Sequence, residues 1–156
     1  MFIIVSIRMN VYLFPALGLT PTILERTFNQ IPKERWDTPT HPGRFTPREV
    51  VAHLADWEPV MLARMKQCLE SPGSTIVARD EEQMALDNGY SDWNPIEALE
   101  TFKAARAQSI QWLKSLSQEQ FALTGVHSER GVWTIYDQAN LLVGHDVYHI
   151  DQLSAV

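Results

Sequence analysis

Residues 131–153 read GVWTIYDQANLLVGHDVYHIDQL, and this stretch decides how the chain is built. Thr134, followed three residues later by Asp137, marks a helix start. From there Ile135, Ala139, Leu142, His145, Tyr148, His149 and Gln152 recur at helical spacing almost to the C-terminus. His145 and His149 are four apart, so they stand on one face, one turn above the other. At about 100° per residue, Leu142, His145, His149 and Gln152 share a stripe that overlaps the apolar face turned inward. Two imidazoles buried on adjacent turns without partners would cost stability. A shared divalent ion, about 2.0–2.1 Å from each nitrogen, removes that cost.

Working upstream, three more long helices are predicted. One is bounded by Thr20-Pro21, with Thr20 as N-cap and Pro21 at the first helical position. It carries Ile23, Leu24, Thr27, Phe28 and Ile31, and an upstream extension through Val11 to Leu19 is open. Thr46-Pro47 repeats the cap signature with Glu49 in the first turn. Val50, Val51, Leu54, Trp57, Met61, Leu62, Met65 and Leu69 then follow a period of 3.6, with Pro59 as an expected kink. Asn94-Pro95 opens a third helix to about Leu116, with Ile96, Leu99, Phe102, Ala105, Ile110 and Leu113 as its stripe. A short helix is expected around Glu81 to Leu86, and a short capped turn at Ser117–Gln120. Residues 125 to 131 read as a loop. No strand pattern competes beyond the N-terminal apolar run. The expectation is an all-α four-helix bundle in a single domain over residues 1–156, with residues 1–10 as a peripheral extension or added strand.

Composition narrows the function classes. With 156 residues and 45% apolar content the chain is long and apolar enough to bury a core. A net charge of −6 argues against nucleic-acid binding through a basic surface. No run approaches the 18 or so apolar residues of a membrane span. The N-terminus lacks the charge and cleavage pattern of a secretory signal. The single cysteine, Cys68, excludes an internal disulfide and fits a cytoplasmic location.

The remaining candidates differ in weight. His53 lies among Val50, Leu54, Trp57 and Met61, so it also faces the core. It joins the pair if the second and last helices are neighbours. His41, beside Pro42, and His127 read as loop or surface residues. Cys68 lies fifteen residues beyond His53, about 22 Å along a helix, and reads as a buried small hydrophobe. Asp146 makes H-D-x-x-H, similar to the zincin H-E-x-x-H whose acid is the general base. It is one methylene shorter, and its plainer role is a solvated acid or a partner for Arg130. Asp56 is placed to orient the His53 imidazole.

Two stretches together resemble the DinB/YfiT-like superfamily of metal-dependent enzymes, across about Thr20 to Leu153. One is residues 45–58, FTPREVVAHLADWE; the other is residues 131–135 with 144–153, GVWTI and GHDVYHIDQL. The resemblance implies an up-down-down-up bundle, often dimeric, with a divalent metal on His53, His145 and His149. Three imidazoles suit zinc or nickel, and also iron or copper. Relatives include enzymes that use low-molecular-weight thiols, and others that look like hydrolases. The leading expectation is therefore transfer of a low-molecular-weight thiol to a small electrophile by a homodimer. Hydrolysis by metal-activated water, and a non-enzymatic stress-related binding or structural role, stand as alternatives. No basic cluster that would receive such a thiol is evident in the sequence.

Overall fold

A computed structural model describes residues 8–156. Most of the N-terminal extension expected at residues 1–10 lies outside the described residues. Helix α1 spans Leu13–Phe28, α2 Pro47–Glu70, α3 Glu81–Asp87, α4 Pro95–Lys114, α5 Gln118–Phe121 and α6 Ile135–Ser154. The capping signals explain most of these starts. Thr46 and Glu49 form a reciprocal capping box with Pro47 at the first helical position. Ser117 with Gln120, and Thr134 with Asp137, do the same for α5 and α6. Asn94 and Asp80 cap α4 and α3 through their side-chain oxygens.

The first helix differs from its expected form. It starts at Leu13 rather than at Thr20-Pro21 and runs straight through Pro21. A proline inside a helix leaves the carbonyl four residues back without its donor. Here that carbonyl belongs to Leu17, and the Arg106 guanidinium donates to it at 3.4 Å. Tertiary contact therefore supplies what the local sequence removes.

Each long helix packs on two of the others: α2 on α4 and α6, and α1 on α4 and α6. Side-chain contacts give the directions. Arg48 near the start of α2 reaches the Trp93 carbonyl just before α4, so α2 and α4 run parallel. Asn10 bonds Tyr136 at the start of α6, and Leu24 and Phe28 share a cluster with Leu153 at its end, so α1 and α6 run parallel. Cys68 meets Gln138, and Glu25 meets Lys103, so the two pairs are opposed. The topology is up-down-down-up, as the resemblance implied.

A three-stranded sheet, absent from the sequence reading, closes one end. Strands β1 (Thr75–Ile76), β2 (Thr124–His127) and β3 (Gly131–Thr134) lie in that order, β1–β2 parallel and β2–β3 antiparallel. The expected loop at 125–131 is thus a hairpin. Strands of two to four residues are too short to show a period of two. Gly125 lets the sheet approach α2: a Cβ there would lie 2.6 Å from the Ile76 side chain and 2.9 Å from Cys68 Sγ.

Two apolar clusters fill the bundle. One contains Leu13, Leu17, Met61, Met65, Leu113 and Leu142; the other contains Leu24, Phe28, Val50, Leu54, Phe102 and Leu153. Near the meeting of the two, every long helix contributes a buried polar residue to one connected set: Thr20 on α1, Glu58 on α2, Arg106 on α4 and Asp146 on α6. Arg106 makes a two-pronged contact with Glu58, 2.8 Å on each arm, and donates to Asp146 at 2.5 and 3.0 Å. It also donates to Thr20 at 3.1 Å, while the Thr20 hydroxyl bonds Asp146. Burial alone would lower the Arg106 pKa, but Glu58 and Asp146 raise it above its ordinary value.

Candidate metal centre

His53 is carried by α2, and His145 and His149 by successive turns of α6, which packs against α2. The ring nitrogens converge. His53 Nε2 lies 3.0 Å from His145 Nε2, which lies 3.3 Å from His149 Nε2. His53 is fully buried and His149 nearly so. Burial holds all three below the ordinary imidazole value: His53 at about 2, His145 at about 4 and His149 at about 3. The neighbouring imidazoles add to this at His53, as do His145 and Arg44 at His149 and the Arg106 charge at His145. All three rings are therefore neutral at physiological pH.

A neutral imidazole has one N–H and one lone pair. His149 Nδ1 faces Gln152 Oε1 at 3.1 Å, and the Gln152 amide nitrogen donates to the Phe45 carbonyl at 3.1 Å. That pairing fixes Gln152 oxygen as an acceptor, puts the His149 proton on Nδ1 and leaves its Nε2 as a lone pair aimed inward. His145 Nε2 can donate to only one of its two neighbours. The protein alone therefore leaves at least one nitrogen–nitrogen contact unsatisfied, and His53 Nδ1 is buried without a partner as well. Two nitrogens held about 2.0–2.1 Å from one tetrahedral ion lie roughly 3.3 Å apart. The observed spacings and the all-imidazole donor set fit a divalent cation. Among the described residues, these three form the group of metal-ligating side chains close enough to share an ion.

Three expectations for the surroundings are corrected. Asp146 is neither solvated nor paired with Arg130: it is buried and committed to Arg106 and Thr20. A carboxylate held by a bidentate guanidinium is not free to act as the zincin-like base. Asp56 does not orient His53 either. It accepts from the Tyr90 hydroxyl at 2.7 Å and from Asn88 at 2.8 Å. His127 is not a loop residue but a buried member of β2. His41 is exposed and Cys68 buried, as read from the sequence.

One side of the centre opens, past His145, into a cavity of about 530 Å³ of empty space, continuous with solvent. Its walls include Trp57, Trp133, Arg64, Arg79, Arg130 and Glu81. Trp57 stacks 5.8 Å from the His53 ring. Glu81, the first residue of α3, places Oε2 3.7 Å from His53 Nε2. With His53 neutral this contact is not an ion pair, and at that length it is no hydrogen bond. Burial raises the Glu81 carboxyl, partly offset by Arg130 and Arg64. The sequence reading used Glu81 only as a helix start, because an acid in a first turn is ordinary helix chemistry. The three arginines come from α2, the segment before α3 and the β2–β3 turn, so no run of basic residues announced them.

Comparison with known proteins gives the chain a family and a fold. The pattern of the DinB superfamily matches residues 16–153. A "putative metal-dependent hydrolase" of Oceanobacillus iheyensis is 27% identical over 138 residues, covering 87% of this chain and 78% of that protein. "Putative metal-dependent hydrolase YfiT" of Bacillus subtilis is 24% identical over 135 residues, covering 86% and 76%. The solved structure of Bacillus subtilis YfiT, described as "a probable metal-dependent hydrolase with an unusual four-helix bundle topology", superposes with a TM-score of 0.87 at 22% identity, covering 94% and 87%. The mycothiol-dependent maleylpyruvate isomerase superposes with a TM-score of 0.76 at 12% identity; all of this chain covers 65% of that longer one. No helix among the described residues is long and apolar enough to cross a membrane.

Proposed function

The chain belongs to the DinB superfamily, and from that premise we propose that it is a divalent-metal-dependent enzyme that transfers a low-molecular-weight thiol to a small electrophile. His53, His145 and His149 would hold the ion, with zinc or nickel the best matches to three imidazoles. The observation that carries this reading is the convergence of the three Nε2 atoms beside an open cavity. A bound divalent ion supplies Lewis-acid activation, lowering the pKa of a thiol or water at its open position.

The chain's own groups do the rest. Gln152 locks the His149 tautomer. Glu81, its carboxyl raised by burial, stands where it can take the proton of the nucleophile. Trp57 and Trp133 supply apolar wall beside the reacting groups. Support for the thiol comes from the likeness in fold to an isomerase that uses mycothiol, and from the arginines that the cavity gathers. A homodimer belongs to the same proposal. Tyr12, Leu19 and Ile23 form an exposed apolar stripe on and just before α1 suited to a second copy.

The test is to mix zinc- or nickel-loaded protein with a panel of low-molecular-weight thiols and monochlorobimane, and to follow the conjugate. The expected result is a rate above the metal-free control for at least one thiol, lost in His149→Ala. No such rate for any thiol contradicts the proposal. Hydrolysis of an ester or amide without added thiol, lost in the same variant, would support the second reading. The hydrolase names of the sequence relatives and the placement of Glu81 favour that reading.

A further inference from the structure

The cavity beside the centre collects more cationic than anionic side chains. Arg64 is 7% exposed, yet among the described residues no carboxylate lies within 4.0 Å of its guanidinium. It rests over the Trp57 ring at 5.0 Å and gives one hydrogen bond to the Val77 carbonyl at 3.0 Å and a long contact to Met61 sulfur. That leaves most of its five N–H groups for something else. A guanidinium buried with no carboxylate in direct contact, its charge offset only through space by Glu81, favours an anion that can bind it directly.

His127, 5% exposed, lies across the same cavity. Its Nδ1 accepts from the Glu129 backbone N–H at 3.3 Å, which leaves Nε2 as the protonated atom and a donor. Arg79 and Arg130 stand at the mouth, Arg130 over the Trp133 ring at 5.9 Å. Among the described residues neither has a carboxylate within 4.0 Å. Three guanidiniums against Glu81 and Glu129 leave one net positive charge in the side chains of this wall, in a chain whose total is −6.

We propose that this cavity is a carboxylate subsite, with Arg64 and His127 as its buried contacts and Arg79 and Arg130 at its mouth, so that the enzyme's small-molecule ligand is an organic acid. A monoanionic carboxylate matches the fork of a guanidinium and balances the single charge. In the metal-free protein a phosphate dianion overshoots that charge and meets Glu81 and Glu129. Identifying this ligand with a substrate or acidic thiol rests on the function proposed above; the binding itself does not.

The experiment titrates chelator-treated protein with butyrate, butyramide and inorganic phosphate, following tryptophan fluorescence, to which Trp57 and Trp133 contribute. Butyrate is expected to bind, butyramide not to bind, and phosphate to bind more weakly than butyrate. Arg64→Gln should weaken butyrate by at least about 30-fold. Arg130→Gln, an exposed site that leaves folding intact, should weaken it by about two- to fivefold. Equal binding of butyrate and butyramide, no binding of either, or no change in Arg130→Gln overturns the proposal. Phosphate binding tighter than butyrate overturns the carboxylate assignment. Butyrate binding without any thiol conjugation would sink the function and spare the subsite. Conjugation in a protein that ignores butyrate would do the reverse.

Discussion

Two buried polar clusters lie one residue apart on α6, and they are built on opposite principles. Asp146 belongs to a closed set with Arg106, Glu58 and Thr20 in which opposite charges and donors find each other inside the protein. His145 belongs to a set of three neutral imidazoles whose nitrogens face one another and cannot all be satisfied. The first set ties one residue from each long helix into a single layer and has no opening. The second sits beside a cavity. The difference teaches how to weigh buried polar sets: one that is already paired holds the fold, and one left unsatisfied beside a cavity is a candidate for a ligand.

Breaking the closed set should have the largest effect. Arg106→Met leaves Glu58 and Asp146 buried without a counter-charge, and should cost about 3–5 kcal/mol in urea denaturation. A cost below about 1 kcal/mol would mean the layer is not what holds the four helices together.

Acid should strike the open set. Each of the three imidazoles has a folded-state pKa below its unfolded value of about 6.5. The unfolded chain therefore binds more protons as pH falls, so the stability these groups contribute is present above about 6.5 and is lost below it. The loss continues down to about 4, where His145 is half-protonated in the folded state. For chelated protein each ring contributes roughly 1.4 kcal/mol per pH unit at most, and by pH 5.5 the three could cost about 4 kcal/mol together. Urea midpoints at pH 7.5, 6.5 and 5.5 measure this slope. His149→Ala should flatten it by about a third, and an unchanged slope would contradict the burial assigned to that ring.

The smallest effect sharpens the comparison from the side of His149. Gln152→Ala removes the acceptor that fixes the His149 proton and should weaken metal binding by about 10–100-fold in competition with a calibrated chelator. The chelated variant should stay within about 2 kcal/mol of the parent, since it loses two hydrogen bonds at a half-buried site. Equal metal affinity would mean that the Gln152 contact does not orient the ligand.

Much of this contrast was legible in the sequence, but unevenly. The histidines could be read because His145 and His149 lie on the same stripe as Leu142, and His53 lies among Val50, Leu54 and Trp57. The closed layer carried a comparable signal that the sequence reading passed over. Arg106 shares the α4 stripe with Leu99, Phe102 and Leu113, and Glu58 shares the α2 stripe with Leu54, Met61 and Met65. A charged residue at such a position implies an opposite charge on a neighbouring helix. The start of α1 was misread because Thr20-Pro21 is a sound local cap. Only the three-dimensional approach of Arg106 to the Leu17 carbonyl makes Pro21 tolerable inside a helix. The arginine-lined cavity could not be read at all, because Arg64, Arg79 and Arg130 are scattered along the chain and a sheet of very short strands brings the last of them into place.

The central claim is that the open set is completed by a metal, and elemental analysis tests it most directly. Parent, His53→Ala, His145→Ala and His149→Ala proteins would be incubated with zinc or nickel, dialysed and checked for folding by circular dichroism. One divalent ion per chain in the parent, and none above background in the three folded variants, is the predicted result. A parent protein that emerges without metal, or variants that keep it, would contradict the account.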